Sequence, residues 1–375
     1  MSSGEVVVTP AQLLGFTVLG LAVLIHIIFV SITLGVGLIT AVYRWLAYKR
    51  SDGELELFAR KVFRLMIVSE LFSGVWGTII TVVLVGFFPG LVALATNILF
   101  TPITIAIVSI MIRIPSIAIF WYTWGKISER AHSTIGFIMA LSGFGVPLGF
   151  RTLFSELSYP HTISVFLAGN TPPLWYAYTS PLYWSLYAHT VFAVISTGGF
   201  VIASIMVLEN NVRWVEIGLK YGILFLLAQL IAGPLYYLTI YSRSMYIFNN
   251  ITFGPYAPLF TLKLILVLLL LALSLYSWFS VRRRKTIIGY TKYLGPIALP
   301  IVFLGEFINN APRYPYIAVL GENGVPISAF FNFYMNIPAS LVYVILGFLI
   351  FSIIVFTTAA YLALIRGFIV EKIES

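Results

Sequence analysis

A succession of long, continuous apolar runs constrains this sequence more than any other feature. Nine runs of membrane-spanning length follow one another, at about 12–43, 58–88, 98–124, 134–154, 182–208, 214–240, 259–281, 291–310 and 339–366. A spanning helix needs roughly 20 such residues. In hydrocarbon every backbone N–H and C=O must be satisfied within the chain, which leaves helices and closed barrels as solutions. Barrel strands are short segments of alternating polarity, whereas these runs are unbroken, so they predict helices. Composition agrees: 60% of the 375 residues are apolar and 9% charged, with a mean hydropathy of +1.00. A soluble domain carries about 25% charge, so a soluble globular enzyme and a disordered chain are both excluded. The absence of cysteine excludes disulfides, thiolate zinc sites and iron–sulfur clusters. The first run is too long for a signal-peptide core and lacks a basic leader, so it is expected to be a retained span. The expected fold class is an all-α, polytopic integral membrane protein of about nine transmembrane helices, multi-pass in the cell membrane. One membrane domain, 1–375, is expected to comprise a four-helix group at 12–154, a second at 182–310 and a peripheral ninth helix at 339–366.

The net charge of +9 resolves into topology. Arg44, Lys49, Arg50, Arg60, Lys61 and Arg64 surround the first connection, Lys126 and Arg130 the third, and Arg213 and Lys220 the fifth. Arg282, Arg283, Arg284, Lys285 and Lys292 fill the seventh, and Arg366 and Lys372 follow the last span. Seventeen of the 22 cations thus share one side, against Arg243 and Arg313 on the other. The positive-inside rule puts the N-terminus outside and the C-terminus in the cytoplasm. The bilayer is the expected partner of this charge, and no nucleic acid is. The two longest connections, about 155–181 and 311–338, are expected to form ordered lids over the outer helix ends.

Spans one and five share a pattern. His26, Phe29, Thr33 and Gly35 recur as His189, Phe192, Ser196 and Gly198, or H-x2-F-x3-[ST]-x-G. On a helix the histidine, aromatic and hydroxyl share one face. The glycine lies on the other, where small residues let helices approach closely. Duplication and coincidence both account for such a match.

The four histidines divide in two. His132 and His161 fall in connections and read as ordinary polar loop residues. His26 and His189 lie within spans, where a strongly polar group is costly and usually functional. Each is either a buried imidazole bonded to a helix carbonyl or an axial ligand of haem iron. By depth, both lie in the outer half, as do Glu306 of span eight, Arg151 of span four and Lys263 of span seven. That layout suits haem iron with cationic partners for its propionates. Glu70 and Arg113 lie nearer mid-membrane, where neither is expected to be charged alone. An ion pair between them and a proton-path role for Glu70 are the two readings.

With these residues in order, the chain resembles subunit I of the cytochrome bd terminal oxidases. The resemblance rests on the histidine-glycine stretch His26-Ile-Ile-Phe-Val-Ser-Ile-Thr-Leu-Gly-Val-Gly and on Ala188-His189-Thr190-Val191. It rests also on Gly305-Glu306-Phe307 followed by Arg313-Tyr314-Pro315-Tyr316, and on Trp121-Tyr-Thr-Trp124-Gly-Lys126. It implies nine spans with an external N-terminus, and an oxidoreductase passing electrons from a quinol or another donor to oxygen, which is reduced to water. His26, His189 and Glu306 are the haem-iron candidates: His26 would ligate one haem of the oxygen site, Glu306 would ligate or neighbour the other, and His189 would ligate a low-spin haem b. Arg313 would be a propionate or structural partner, beside Lys263 and Arg151, whose depth already suits propionates. The resemblance implies haem b and leaves haem d open, with a homologous membrane subunit II as partner; it singles out no catalytic residue. Three departures stand out. Ile265 occupies the place of a methionine ligand, with Lys263 where an arginine is usual. Ile105 and Arg113 stand near the places of two glutamates. The external loop between spans six and seven is short, about 241–258. They keep two alternatives open: a haem-bearing electron-transfer or anchor subunit without oxygen reduction, and a haem-free transporter.

Overall fold

The structure is a computed structural model and describes residues 8–332, 337–359, 361 and 362. Most of the long helices begin at a capping side chain or a proline. Helix α1 (Pro10–Arg50) opens on a capping box between Thr9 and Gln12 with proline in its first turn, and ends at Ser51 in the left-handed region. Asp52 then caps α2 (Gly53–Phe87) through the amides of Glu54 and Leu55. A short α3 (Pro89–Ile98) turns into α4 (Phe100–Tyr122). Ser128 caps α5 (Glu129–Ser158) and a one-turn-plus α6 (His161–Leu167) follows. Proline starts α7 (Pro181–Met206), and Asn211 caps α8 (Val212–Arg243). The remaining helices are α9 (Met245–Thr252), α10 (Ala257–Phe279), α11 (Leu294–Asn310) and α12 (Ala339–Ser352). An antiparallel hairpin of β1 (Tyr316–Leu320) and β2 (Asn323–Pro326) lies between the last two.

The polytopic helical class stands. Nine spans are expected, and eight helices among the described residues have the length and apolarity to cross a membrane. The ninth region is a shorter apolar helix, α12, running into a π turn at Ile353–Thr357. The end of the expected span, 363–366, lies outside the described residues. The expected third span, 98–124, begins at a break between α3 and α4. The lids carry regular structure: α6 and a 3-10 turn at Tyr176–Thr179 in one, the hairpin in the other.

Helix α7 sits at the centre. Its apolar window is 72% buried, against 33% or less for every other span, so the other helices present faces to lipid. Two sets of helices surround it: α1 packs on α2 and α5, α7 packs on α8 and α11, and the sets meet along α1 and α7. The closest approach is at the repeated glycines. A Cβ on Gly35 would stand 2.1 Å from the Val194 carbonyl oxygen, and one on Gly198 would stand 2.7 Å from the backbone of Gly35. Only the missing side chains allow this crossing. The basic residues of α1 and α2 gather at one end of the bundle, here the basic end; Phe16 of α1 meets Tyr314 beside the hairpin at the other.

Candidate functional site

Both in-span histidines sit in the hairpin-side half, each facing a glycine on the next helix. The Gly77 position faces the His26 imidazole, where a Cβ would meet Cε1 at 3.2 Å; the Gly233 position faces His189 at 3.8 Å. The register repeats further down. Thr33 Oγ1 donates to the Met66 carbonyl at 3.5 Å and Ser196 Oγ to the Gly222 carbonyl at 2.8 Å. Met66 and Gly222 each stand eleven residues before the glycine that faces the histidine. The H-x2-F-x3-[ST]-x-G pattern therefore marks the same three-dimensional frame twice.

The histidines differ in their bonds. His26 Nδ1 lies 2.8 Å from the Ser73 carbonyl oxygen. A carbonyl can only accept, so Nδ1 carries the proton and Nε2 keeps its lone pair. His189 Nδ1 is buried with no hydrogen-bond partner. Gln229, at the register position of Ser73, donates to the His189 carbonyl oxygen, and its own Oε1 is buried and unpartnered. Tyr236 stacks on the His189 ring with centroids 5.6 Å apart and donates to Asn309.

Another buried polar group of the hairpin-side half is an ionic cluster. Arg151 donates three hydrogen bonds of 3.0–3.1 Å to the Glu306 carboxylate, and both side chains are buried. Asn310 adds a fourth bond, 2.9 Å, to Glu306 Oε1. Together they fill the acceptor positions of the carboxylate. The Arg151 charge bears on both His26 and His189, and that of Lys263 on His189. Lys263 Nζ lies 3.4 Å from where a Cβ on Gly305 would stand, so that glycine makes room for the ammonium. Arg313 is buried a turn away, donating to Asn310 Oδ1, Ser158 Oγ and the Asn309 carbonyl. The structure thus brings His26, His189, Arg151, Glu306 and Lys263 into one electrostatic neighbourhood and sets Arg313 beside it.

Glu70 and Arg113 form the expected ion pair, with N–O distances of 2.8 and 3.1 Å. Arg113 also donates to Thr33 and to the Met139 carbonyl, and Thr33 bonds Glu70. The network pins α1, α2, α4 and α5 together below His26. Ile265 is 56% exposed. It stands two residues from Lys263, hence on the opposite face of α10, and does not point at this cluster.

Two readings of the sequence are corrected. His132 is a buried residue of the first turn of α5, only 1% exposed. Arg44 Nε donates to its Nδ1 at 3.0 Å, its Nε2 donates to the Phe120 carbonyl at 2.9 Å, and its ring stacks on Phe120. His161 opens α6, stacks on Tyr176 at 4.4 Å and bonds Thr179. Burial and the nearby Arg243 hold its pKa below the usual histidine value. Gln229, Tyr236, Asn309 and Asn310 were not singled out from sequence; an amide inside an apolar span was the signal for Gln229.

Among the described residues no three His, Asp or Glu side chains converge as a metal site. Single imidazoles from separate helices are instead what a haem takes, since its porphyrin supplies the other in-plane ligands. The residues fit that group in three respects. His26 has its Nδ1 proton fixed by a carbonyl, the usual support of a ligating imidazole. His189 presents an orphaned buried nitrogen. Both rings face glycine, where no side chain fills the space.

Comparison with known proteins gives the family and the fold. A family model described as cytochrome bd terminal oxidase subunit I matches residues 17–242, a stretch holding His26, Glu70, Arg113, Arg151 and His189. No curated protein matches the sequence. The bd oxidase of Geobacillus thermodenitrificans, a solved structure, is similar with a TM-score of 0.77 at 16% identity, covering 95% of this chain and 98% of that one. At that identity the likeness speaks for the fold. The chain is a multi-pass helical protein of the cell membrane and belongs to the cytochrome bd terminal oxidase subunit I family of respiratory oxidoreductases.

Proposed function

We propose that this chain is a haem-binding subunit of a bd-type terminal oxidase, passing electrons from a quinol or another donor to oxygen and reducing it to water. The observation that carries the reading is the repeated frame, an imidazole against a glycine on the next helix, together with the buried Arg151–Glu306 pair. In this reading His26 and His189 would each ligate a haem iron, and Glu306 would ligate or neighbour a further iron. Haem b is the cofactor at His189, and haem b or haem d at the others. When bound, haem supplies the one-electron and oxygen chemistry.

The chain's own residues do the rest. The Ser73 carbonyl holds the Nδ1 proton of His26, which keeps Nε2 a lone-pair donor. Arg151, Lys263 and Arg313 supply positive charge for propionate carboxylates through charge-assisted hydrogen bonds. Glu306 neutralises Arg151 and must give up one of its four hydrogen bonds before its carboxylate can ligate. The Glu70–Arg113–Thr33 network keeps two charges paired in a dry environment and fixes the helices that aim His26. The outer face is the expected side of electron entry, with the N-terminus outside, and a homologous second membrane subunit is the expected partner.

Glu306 locked by Arg151 and Asn310, with Arg113 in place of a glutamate, favours a second reading: a haem-bearing electron-transfer subunit without oxygen reduction. A reduced-minus-oxidised spectrum of the purified protein separates the readings. Haem bands with quinol-driven oxygen uptake support the oxidase. Haem bands without uptake support electron transfer. The absence of any haem band would overturn both and leave the transporter. His26→Ala and His189→Ala are each expected to remove a spectrally distinct haem, and unchanged content in either variant would refute that ligand.

A further inference from the structure

At the basic end, away from the histidines, a cleft of about 520 Å³ opens between the last turns of α1 and the first turns of α5. Trp45, Tyr48, Phe137, Lys49, Arg130, Ser133 and Thr134 line it, with Ser133 buried and Lys49, Arg130 and Thr134 exposed. Three observations point to what it takes. First, Trp45 is 39% exposed and meets Phe137 edge-on at 6.5 Å, as amphipathic rings do at headgroup depth. Second, Lys49 and Arg130 are exposed, and neither forms an ion pair among the described residues. Lys61, Arg213 and Arg282 at the same end each have a carboxylate partner, so the two cleft cations belong to the set at this end whose charge no carboxylate offsets. Third, Ser133 is only 2% exposed and its hydroxyl has no partner. A buried hydroxyl without a partner calls for an unseen one.

The opening turn of α5 reinforces this, since its free amides carry partial positive charge. Glu129 is the acid nearby, and it faces Arg44 at 4.0 Å. We propose that the cleft binds the headgroup of an anionic phospholipid from the leaflet at the basic end. Its phosphate oxygens accept from Lys49 Nζ and the Arg130 guanidinium, one of them also from the Ser133 hydroxyl. The glycerol and upper acyl chains run along Trp45 and Phe137. The volume lies within the range of small-molecule sites, and the aromatic wall accounts for a lipid where a bare anion would leave it unused.

The test is native mass spectrometry of the delipidated full-length protein titrated with short-chain phosphatidylglycerol or phosphatidylcholine. One phosphatidylglycerol is expected to bind in preference to phosphatidylcholine. K49A/R130A is expected to weaken it about tenfold or more, because both cations that face the phosphate are removed, and S133A a few-fold. Arg283→Ala/Lys285→Ala, at the same end but outside the cleft, is expected to leave it unchanged. All these side chains except Ser133 are exposed, and unchanged lipid-free melting verifies the fold. Absence of headgroup preference would overturn the proposal, as would equal loss in the Arg283/Lys285 control. Displacement of the lipid by millimolar inorganic phosphate that binds alone would reassign the cleft to a free anion and overturn the lipid.

Discussion

The α1–α2 pair and the α7–α8 pair hold a histidine in one frame but surround it with different chemistry. In the first, Ser73 anchors His26 through its carbonyl, and Glu70, Arg113 and Thr33 form an ionic network one turn below. In the second, Gln229 stands for Ser73 and leaves His189 Nδ1 without a partner. The register position of Glu70 is held there by Leu226, an apolar buried residue. The frame itself needs only a glycine, a hydroxyl-to-carbonyl bond and a close crossing at Gly35 and Gly198. Buried charge is an addition to one copy, and it is tolerated there because a guanidinium and a hydroxyl satisfy the carboxylate together.

That contrast can be broken at graded cost. Arg113→Ala leaves Glu70 buried without its cation and is expected to cost about 3 kcal/mol or more; the melting temperature in detergent would drop sharply. Glu70→Leu combined with Arg113→Leu should recover most of the loss, since an apolar pair replaces a buried ion pair at little cost. Failure of the double variant to recover would show that the charges do more than pin helices. Gly35→Ala forces a Cβ onto the Val194 carbonyl and is expected to cost about 1–3 kcal/mol. Gly198→Ala should match it, because the two glycines meet at one crossing, and a harmless Gly198→Ala would break the duplicated frame. Next come the hydroxyls. Thr33→Val removes bonds to Arg113, Glu70 and Met66, whereas Ser196→Ala removes one bond, expected at about 0.6 kcal/mol. Equal effects of the two would erase the asymmetry.

The smallest effect is expected at Asp52, whose carboxylate, with Glu54, accepts from Arg213 and ties the starts of α2 and α8. The Arg213 hydrogen bond holds the Asp52 pKa below its usual value. A depressed carboxylate pKa gives stability that is present above the unfolded value of about 4 and is lost as pH falls through the lower folded value. The melting difference between wild type and Asp52→Asn should therefore be seen at pH 6 and close below about pH 4. A difference that persisted at pH 3 would mean the aspartate acts by capping alone.

Much of this was legible in the chain. Long apolar runs leave helices as the only way to satisfy backbone polarity in lipid, so the spans and the cost of His26 and His189 within them followed directly. The repeat was legible because a helix face is fixed by spacing. The Glu70–Arg113 pair was one of two readings, and it prevails because two lone charges in hydrocarbon have no cheaper arrangement than each other. His132 was not legible: beside a helix cap it reads as loop, and its burial depends on Arg44 arriving from α1. The clamp of Arg151 and Asn310 on Glu306 was not legible either. Arg151 and Glu306 were visible as charged and outer-half, and Asn310 was not singled out; their mutual geometry is set by how α5 and α11 converge.

The sequence by itself therefore determined the class of fold, the helices, the two histidine faces and the glycines that must touch something. Spacing along a helix and the insolubility of unpaired polar groups in hydrocarbon are local rules, readable one element at a time. Which glycine meets which, which nitrogen of each histidine is held, and which cations are left uncompensated at the basic end were decided only by tertiary packing. Those outcomes depend on distances between helices far apart in the chain, and no periodicity records them.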